Sequence, residues 1–127
     1  MTEIISGLWF GNHEIIHNPD FMRNIDIPLN CNFQNNIELS NDLKIQQFTT
    51  NLHKIINYIY VNLNKLKNIV LYSSNKQDTM QQKEIILVAF LMKYCKITIT
   101  NAIKLIIQKT KKPLFSQENH FYKLILK

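Results

Sequence analysis

From Leu43 onward, apolar residues recur at three- and four-residue steps: Ile45, Phe48, Leu52, Ile55, Ile56, Ile59, Leu63 and Leu66. That spacing draws one apolar stripe along a long helix, with Lys44, Asn51, Lys54, Asn62 and Lys65 on the other side. Asn41 or Asp42 is placed to cap its start or the turn before it. Ile69 to Tyr72 is short and β-branched, which predicts a buried central strand, and Ser73 to Gln77 is a loop. Thr79 and Gln82 have capping-box spacing and open a helix from about Met80 to Tyr94, apolar nearly all round after Ile85. Thr98 or Thr100 caps a further helix to about Lys109, with Ile99, Ala102, Ile103, Ile106 and Ile107 inward. Lys111-Lys112-Pro113 ends it, and Ser116 caps a last amphipathic helix carrying Phe121, Leu124 and Ile125.

The first forty residues follow a shorter rhythm. Glu3 to Phe10 alternates as two strand pieces meeting at Gly7, and Gly11-Asn12 is a turn. His13 to His17 forms a helical turn or two, closed by Asn18-Pro19, because the residue before proline is pushed out of the α region. Asn24 to Asn30 is a strand, and Pro28 points to an edge or to a strand end. Residues 32–42 are polar and loop-like, with room for a brief strand at 37–39. No repeat or linker divides the chain, so residues 1–127 are expected to be a single α/β domain.

The charge of +6 favours an acidic partner, but fourteen lysines accompany one arginine, Arg23. Bidentate recognition of phosphate or base edges therefore has little material, and nucleic acid is not an expected partner. The Lys104, Lys109, Lys111 and Lys112 cluster reads as a solvated helix end, and Phe115, Phe121 and Tyr122 as core. Cys31 and Cys95 lie in apolar surroundings without CxxC spacing, which predicts two buried thiols in a reducing, intracellular compartment. No secretory signal is visible, and the longest apolar run, Ile85 to Met92, is far too short to span a membrane. Ile, Asn and Lys make up 50 of the 127 residues, and their AT-rich codons point to a viral or parasite source with an AT-rich genome.

Five stretches in order resemble the dual-specificity phosphatases. ISGLWFGN at 5–12 is similar to the family's opening Gly-Leu-Tyr-Leu-Gly-Asn, with Asn18-Pro19 following where expected. IPLNC at 27–31 resembles the next strand. IVLYSS at 69–74 resembles the strand before the catalytic cysteine, VAFLMKY at 88–94 the Ala-Tyr-Leu-Met helix, and KKPLFSQENHF at 111–121 the C-terminal segment. The resemblance implies a central, mostly parallel sheet flanked by helices. In that family a His-Cys-x-x-x-x-x-Arg loop hydrolyses phosphate monoesters. The thiolate attacks phosphorus, backbone amides and the arginine hold the oxygens, and an aspartate protonates the leaving group.

Carried over by position, Tyr72 stands where the histidine would be and Ser73 or Ser74 where the cysteine would be. The arginine position falls on Thr79 or, counted back from the following helix, on Gln82. The loop is about three residues longer than the family's and has no glycine to shape a phosphate nest. Asp78 stands beside the expected helix N-terminus, where a carboxylate repels an incoming phosphate. Asp42, 31 residues before Ser73, has the spacing of the general acid, which makes it a vestigial candidate. Lys76 and Lys83 are weak candidates for residual phosphate binding, each supplying only a point charge.

His13 and His17 match the zinc-protease pattern H-E-x-x-H, which would set two imidazoles on one helix face. Pro19 and the lack of an extension count against a zinc hydrolase, so no metal or other cofactor is expected. The combined expectation is a pseudophosphatase that binds a protein, such as a kinase, a phosphoprotein or a phosphatase substrate, or that pairs as a homodimer. A phosphopeptide-recognition module is the alternative.

Overall fold

A computed structural model describes residues 2–11, 14–31, 41–72 and 82–112. Strands β1 (Thr2–Ile5) and β2 (Leu8–Phe10) form an antiparallel hairpin, and β3 (Ile27–Asn30) and β4 (Ile69–Tyr72) complete a four-stranded sheet in the order β1-β2-β4-β3. β2 and β3 both run parallel to β4, with Leu8 and Ile27 each opposite Ile69. β4 is therefore central, and Ile69, Val70 and Leu71 are all fully buried. Pro28 lies in an edge strand, as its missing N–H requires.

Gly7 makes the hairpin possible. Its φ of +86° suits glycine, its N–H donates to Glu3 Oε2 at 3.0 Å, and its carbonyl accepts from Ile69 N–H at 2.8 Å. A Cβ there would lie 3.3 Å from Leu63 Cδ2 and 3.4 Å from the Lys67 carbonyl, so the turn also serves as a close-packing site.

Three helices cover the sheet: α2 (Asn41–Asn64), α3 (Gln82–Tyr94) and α4 (Ile99–Thr110), with α1 (Pro19–Met22) between β2 and β3. α3 packs between α2 and α4, and α4 in turn lies against β1. Every residue from Ile85 to Leu91 is buried, which explains why that helix shows no polar face. Leu52, Ile56 and Ile59 of α2, together with Ile99, Ala102 and Ile106 of α4, close the same core cluster as Leu8, Ile69 and Leu71.

Several local expectations are extended or corrected. Asn18-Pro19 does close the helical turn, a short 3-10 turn at Ile15–His17, and beyond what the sequence suggested Pro19 also opens α1, with Asn18 accepting from Phe21 N–H at 3.2 Å as its N-cap. β3 starts at Ile27 because residues 24–26 still turn. Asn24 and Ile25 bond back to Phe21 and Met22, and Asp26 Oδ2 accepts from Asn68 N–H at 2.8 Å. Asn41 and Asp42 fall inside the first turn of α2. Asn62 is buried, with its amide donating to the Tyr58 carbonyl at 2.8 Å, whereas Leu66 is 90 % exposed. Ile107 is exposed rather than inward. Cys31 is buried and Cys95 exposed; both are free thiols. The strand at 37–39, the Thr79 cap and the helix after Ser116 lie outside the described residues.

Candidate functional site

The carboxyl ends of β2, β4 and β3 lie side by side, the edge where open parallel sheets commonly bind ligands. Backbone bonds extend the ladder past the strands. Gly11 N–H donates to the Leu71 carbonyl at 2.9 Å, and Cys31 N–H donates to the Tyr72 carbonyl at 2.7 Å. Phe10, Gly11, Tyr72 and Cys31 thus form a continuous rim, and α3 begins ten residues beyond Tyr72.

The first turn of α3 is tied to this rim. Lys83 Nζ donates to the Gly11 carbonyl at 3.0 Å and lies 5.0 Å from the centre of the Phe10 ring. A half-buried ammonium held between a carbonyl and an aromatic face is well placed, because both partners accept positive charge. Glu84, the next residue, is only 2 % exposed, so a carboxylate is sunk in the same first turn. Gly11 is buried under the 3-10 turn; a Cβ on it would meet Ile15 at 3.2 Å. The turn is itself flanked by α1, whose Phe21 packs edge-on against Trp9 of β2 with ring centres 5.3 Å apart.

Of the sequence candidates, Tyr72 is the half-buried last residue of β4 and Gln82 the first residue of α3. Ser73, Ser74, Lys76, Asp78 and Thr79 lie outside the described residues, as does His13. Asp42 stands in the first turn of α2. His17 is exposed at the end of the 3-10 turn, where residues three apart eclipse, unlike the i, i+4 face that H-E-x-x-H chemistry uses. Among the described residues, no three His, Cys, Asp or Glu side chains converge as a metal site. Cys31 is the thiol nearest the rim in the chain trace, but it is fully buried with Sγ 3.6 Å from the Leu29 carbonyl. It is a packing residue and offers no exposed nucleophile.

Sequence reasoning missed the part played by Phe10 and Gly11 and the burial of Glu84. Contacts between residues 10–11 and 83 join positions more than seventy apart, and no local pattern signals them. Glu84 carried a weak signal as the acid in the first turn of a helix.

No known family profile and no curated protein matches the chain. Its fold does match solved phosphatase domains along almost their whole length. A leucine rich repeat and phosphatase domain containing protein from Entamoeba histolytica superposes with a TM-score of 0.74 at 18% identity, covering 98% of this chain and 88% of that one. Tk-PTP in its active form gives 0.70 at 14% identity, covering 99% and 96%. Human DUSP28 gives 0.70 at 8% identity, covering 99% and 93%. The chain therefore has a dual-specificity and tyrosine phosphatase-like α/β fold, built on a four-stranded, mostly parallel sheet.

Proposed function

We propose that this phosphatase-like fold serves protein binding and has lost phosphate ester hydrolysis. The observation that carries the reading is the sequence between β4 and α3. The ten residues from Ser73 to Gln82 contain no cysteine, arginine or glycine. Without a thiolate the attack on phosphorus has no nucleophile at this position, since a serine hydroxyl is far less acidic and no base stands beside it in sequence. Without arginine the developing charge has no bidentate partner. Without glycine the backbone loses its cheapest route to a phosphate nest. Asp42, if it descends from a general acid, has no leaving group to protonate.

On this reading the partner is a kinase, a phosphoprotein or a phosphatase substrate, met inside a cell, or inside a host cell if the source is viral. Incubation of the full chain with an aryl phosphate tests it. We expect no turnover above the buffer rate, and turnover that Ser73→Ala or Ser74→Ala abolishes would overturn the proposal.

The Lys83 ammonium at the strand ends favours a second reading, a module that still recognises phosphopeptides. Calorimetry with a phosphorylated peptide and its unphosphorylated twin separates the two. Heat that depends on the phosphate and disappears in Lys83→Met supports recognition, and indifference to phosphate supports plain docking.

A further inference from the structure

Four of the five large apolar side chains exposed among the described residues fall within nine positions: Tyr58 (46 %), Tyr60 (40 %), Val61 (40 %) and Leu66 (90 %). They line the outer side of α2 and the turn after it. On the inner side of the same helix, Leu52, Ile56, Ile59 and Asn62 are buried. Lys54, Tyr58, Val61 and Lys65 are all exposed and stand at i, i+4, i+7 and i+11, a single ridge about 16 Å long. Beside it, Tyr60 stacks on Tyr94 of α3 with ring centres 4.1 Å apart and planes 11° apart, and Lys93 lies 5.4 Å from the Tyr94 ring. Tyr94 Oη reaches Asn57 at 3.5 Å. The aromatic flank of the ridge is thereby stiffened by the neighbouring helix.

The ridge itself carries charge of one sign, from Lys54 and Lys65, and the carboxylates nearest its far end, Glu3 and Asp26, bond backbone N–H groups of Gly7 and Asn68. Residues 43–127 hold fourteen lysines and three acids, while residues 1–42 hold six acids and one arginine. Among the described residues, Lys54, Lys65, Lys67 and Lys96 make no ion pair. Three of those six acids are engaged within the chain: Glu3 on Gly7 N–H, Asp26 on Asn68 N–H, and Asp20 on Arg23 at 3.4 Å. A second copy is therefore a poor source of the missing negative charge. A helical ridge with an apolar middle and a lysine at each end is suited to packing against the apolar stripe of another helix.

We propose that the outer face of α2 docks an amphipathic helix of a partner protein, one with apolar residues along one stripe and Glu or Asp beside it. Tyr58 and Val61 fill the partner's apolar stripe, Lys54 and Lys65 meet its carboxylates at either end, and Leu66 extends the contact past the helix. This rests on the protein-binding reading and supplies the chemistry of the partner. The two are separable: aryl phosphate turnover would remove the earlier reading and leave the docking face standing, and a failed docking titration would leave the absence of turnover untouched.

The probe is a labelled peptide of about three heptads with Leu at a and d, Glu at e and g, and Ala elsewhere. Titrated with the full chain and followed by fluorescence anisotropy, it should bind saturably and more weakly as salt rises. Val61→Asp should weaken binding at least tenfold. Lys54→Glu and Lys65→Glu should each weaken it up to about fivefold, the span of a partly exposed ion pair. All three altered side chains are exposed, so the fold should survive, which circular dichroism checks; Tyr58→Ser carries the test if Val61→Asp does not fold. Equal binding of a scrambled peptide of the same composition would reduce the effect to bulk charge and overturn the proposal. So would an unaffected Val61→Asp. A concentration-dependent dimer that Val61→Asp splits would assign the face to a second copy. Capture by phosphatidylserine vesicles that Val61→Asp abolishes, with no peptide binding, would assign it to a membrane.

Discussion

At the scale of single residues, scarcity of glycine shapes this protein. Both glycines sit where a Cβ would be tightly packed, Gly7 against Leu63 and Lys67 and Gly11 against Ile15. None is left for helix ends, where the residue after the last turn commonly adopts a left-handed conformation. Leu66, Lys96 and Lys111 take that conformation instead, with φ near +60°. Around Leu66 the bonds form a Schellman motif: Lys67 N–H donates to the Asn62 carbonyl at 3.2 Å and Leu66 N–H to the Leu63 carbonyl at 3.0 Å. Each side chain held there costs about 1 kcal/mol. Leu66→Gly should therefore stabilise the fold by up to about 0.5 kcal/mol net of the extra freedom of an unfolded glycine. Gly7→Ala should destabilise it by about 1–2 kcal/mol or more. Paired thermal melts check both signs together, and a destabilising Leu66→Gly would mean that the Leu66 side chain holds something in place.

The two cysteines offer a second check at this scale. Partial burial pushes the Cys95 thiol above its ordinary pKa of 9.0, so at neutral pH it is protonated and slow to react, although its surface is exposed. In native protein one thiol should alkylate, more slowly than a free cysteine and faster as pH rises. Cys31 should react only after unfolding. The folded-state pKa of Cys95 lies above the unfolded one, so any stability gained from its neutral form is present below the unfolded pKa and is lost as pH rises through the folded value. Mass spectrometry of labelled protein, native against denatured, reads the count directly, and two rapidly labelled native thiols would contradict the placement of Cys31.

Among elements, legibility followed the range of the interactions that define each one. β4 matches its sequence reading to the residue because a β-branched run flanked by turn residues is a local signal, and full burial on both faces permits no polar alternation. α3 was readable for the same reason, and α4 because Thr98 accepts from Asn101 N–H at 3.2 Å, an N-cap visible as a threonine before an apolar period. β3 was read too long because its start is set by Asp26 and Asn24 bonding Asn68, more than forty residues away. Asn62 was assigned to the solvent side because helical periodicity alone misses its role in closing α2 through bonds to its own backbone neighbours. The sequence between β4 and α3 showed which residue types are absent from it, but most of it lies outside the described residues, and the Lys83–Gly11–Phe10 tie was hidden by distance along the chain. If the Thr98 cap is as local as it looks, Thr98→Ala should cost about 1 kcal/mol and Thr98→Asp almost nothing. Urea midpoints would show this, and equal losses in both variants would point to tertiary contacts of the methyl group.

For the whole molecule, the net charge of +6 hides a division between an acidic first third and a strongly basic remainder. Folding packs α3 between α2 and α4, and these three helices together carry six lysines and two acids, Asp42 and Glu84. Unfolded, the same charges lie farther apart in high-dielectric solvent. The helical layer therefore carries like-charge repulsion in the folded state, which counterions screen once the Debye length falls below the spacing of surface charges. Raising NaCl from about 10 mM, where that length is about 30 Å, to about 0.1 M, where it is about 10 Å, should raise Tm by a few degrees. Lys54→Glu or Lys65→Glu should reduce this salt dependence, because a carboxylate placed on the α2 ridge offsets its neighbours. A Tm that falls with NaCl would mean that favourable ion pairs outweigh the repulsion. The basic layer would then be neutralised within the chain itself, removing the reason to look for an acidic partner on α2.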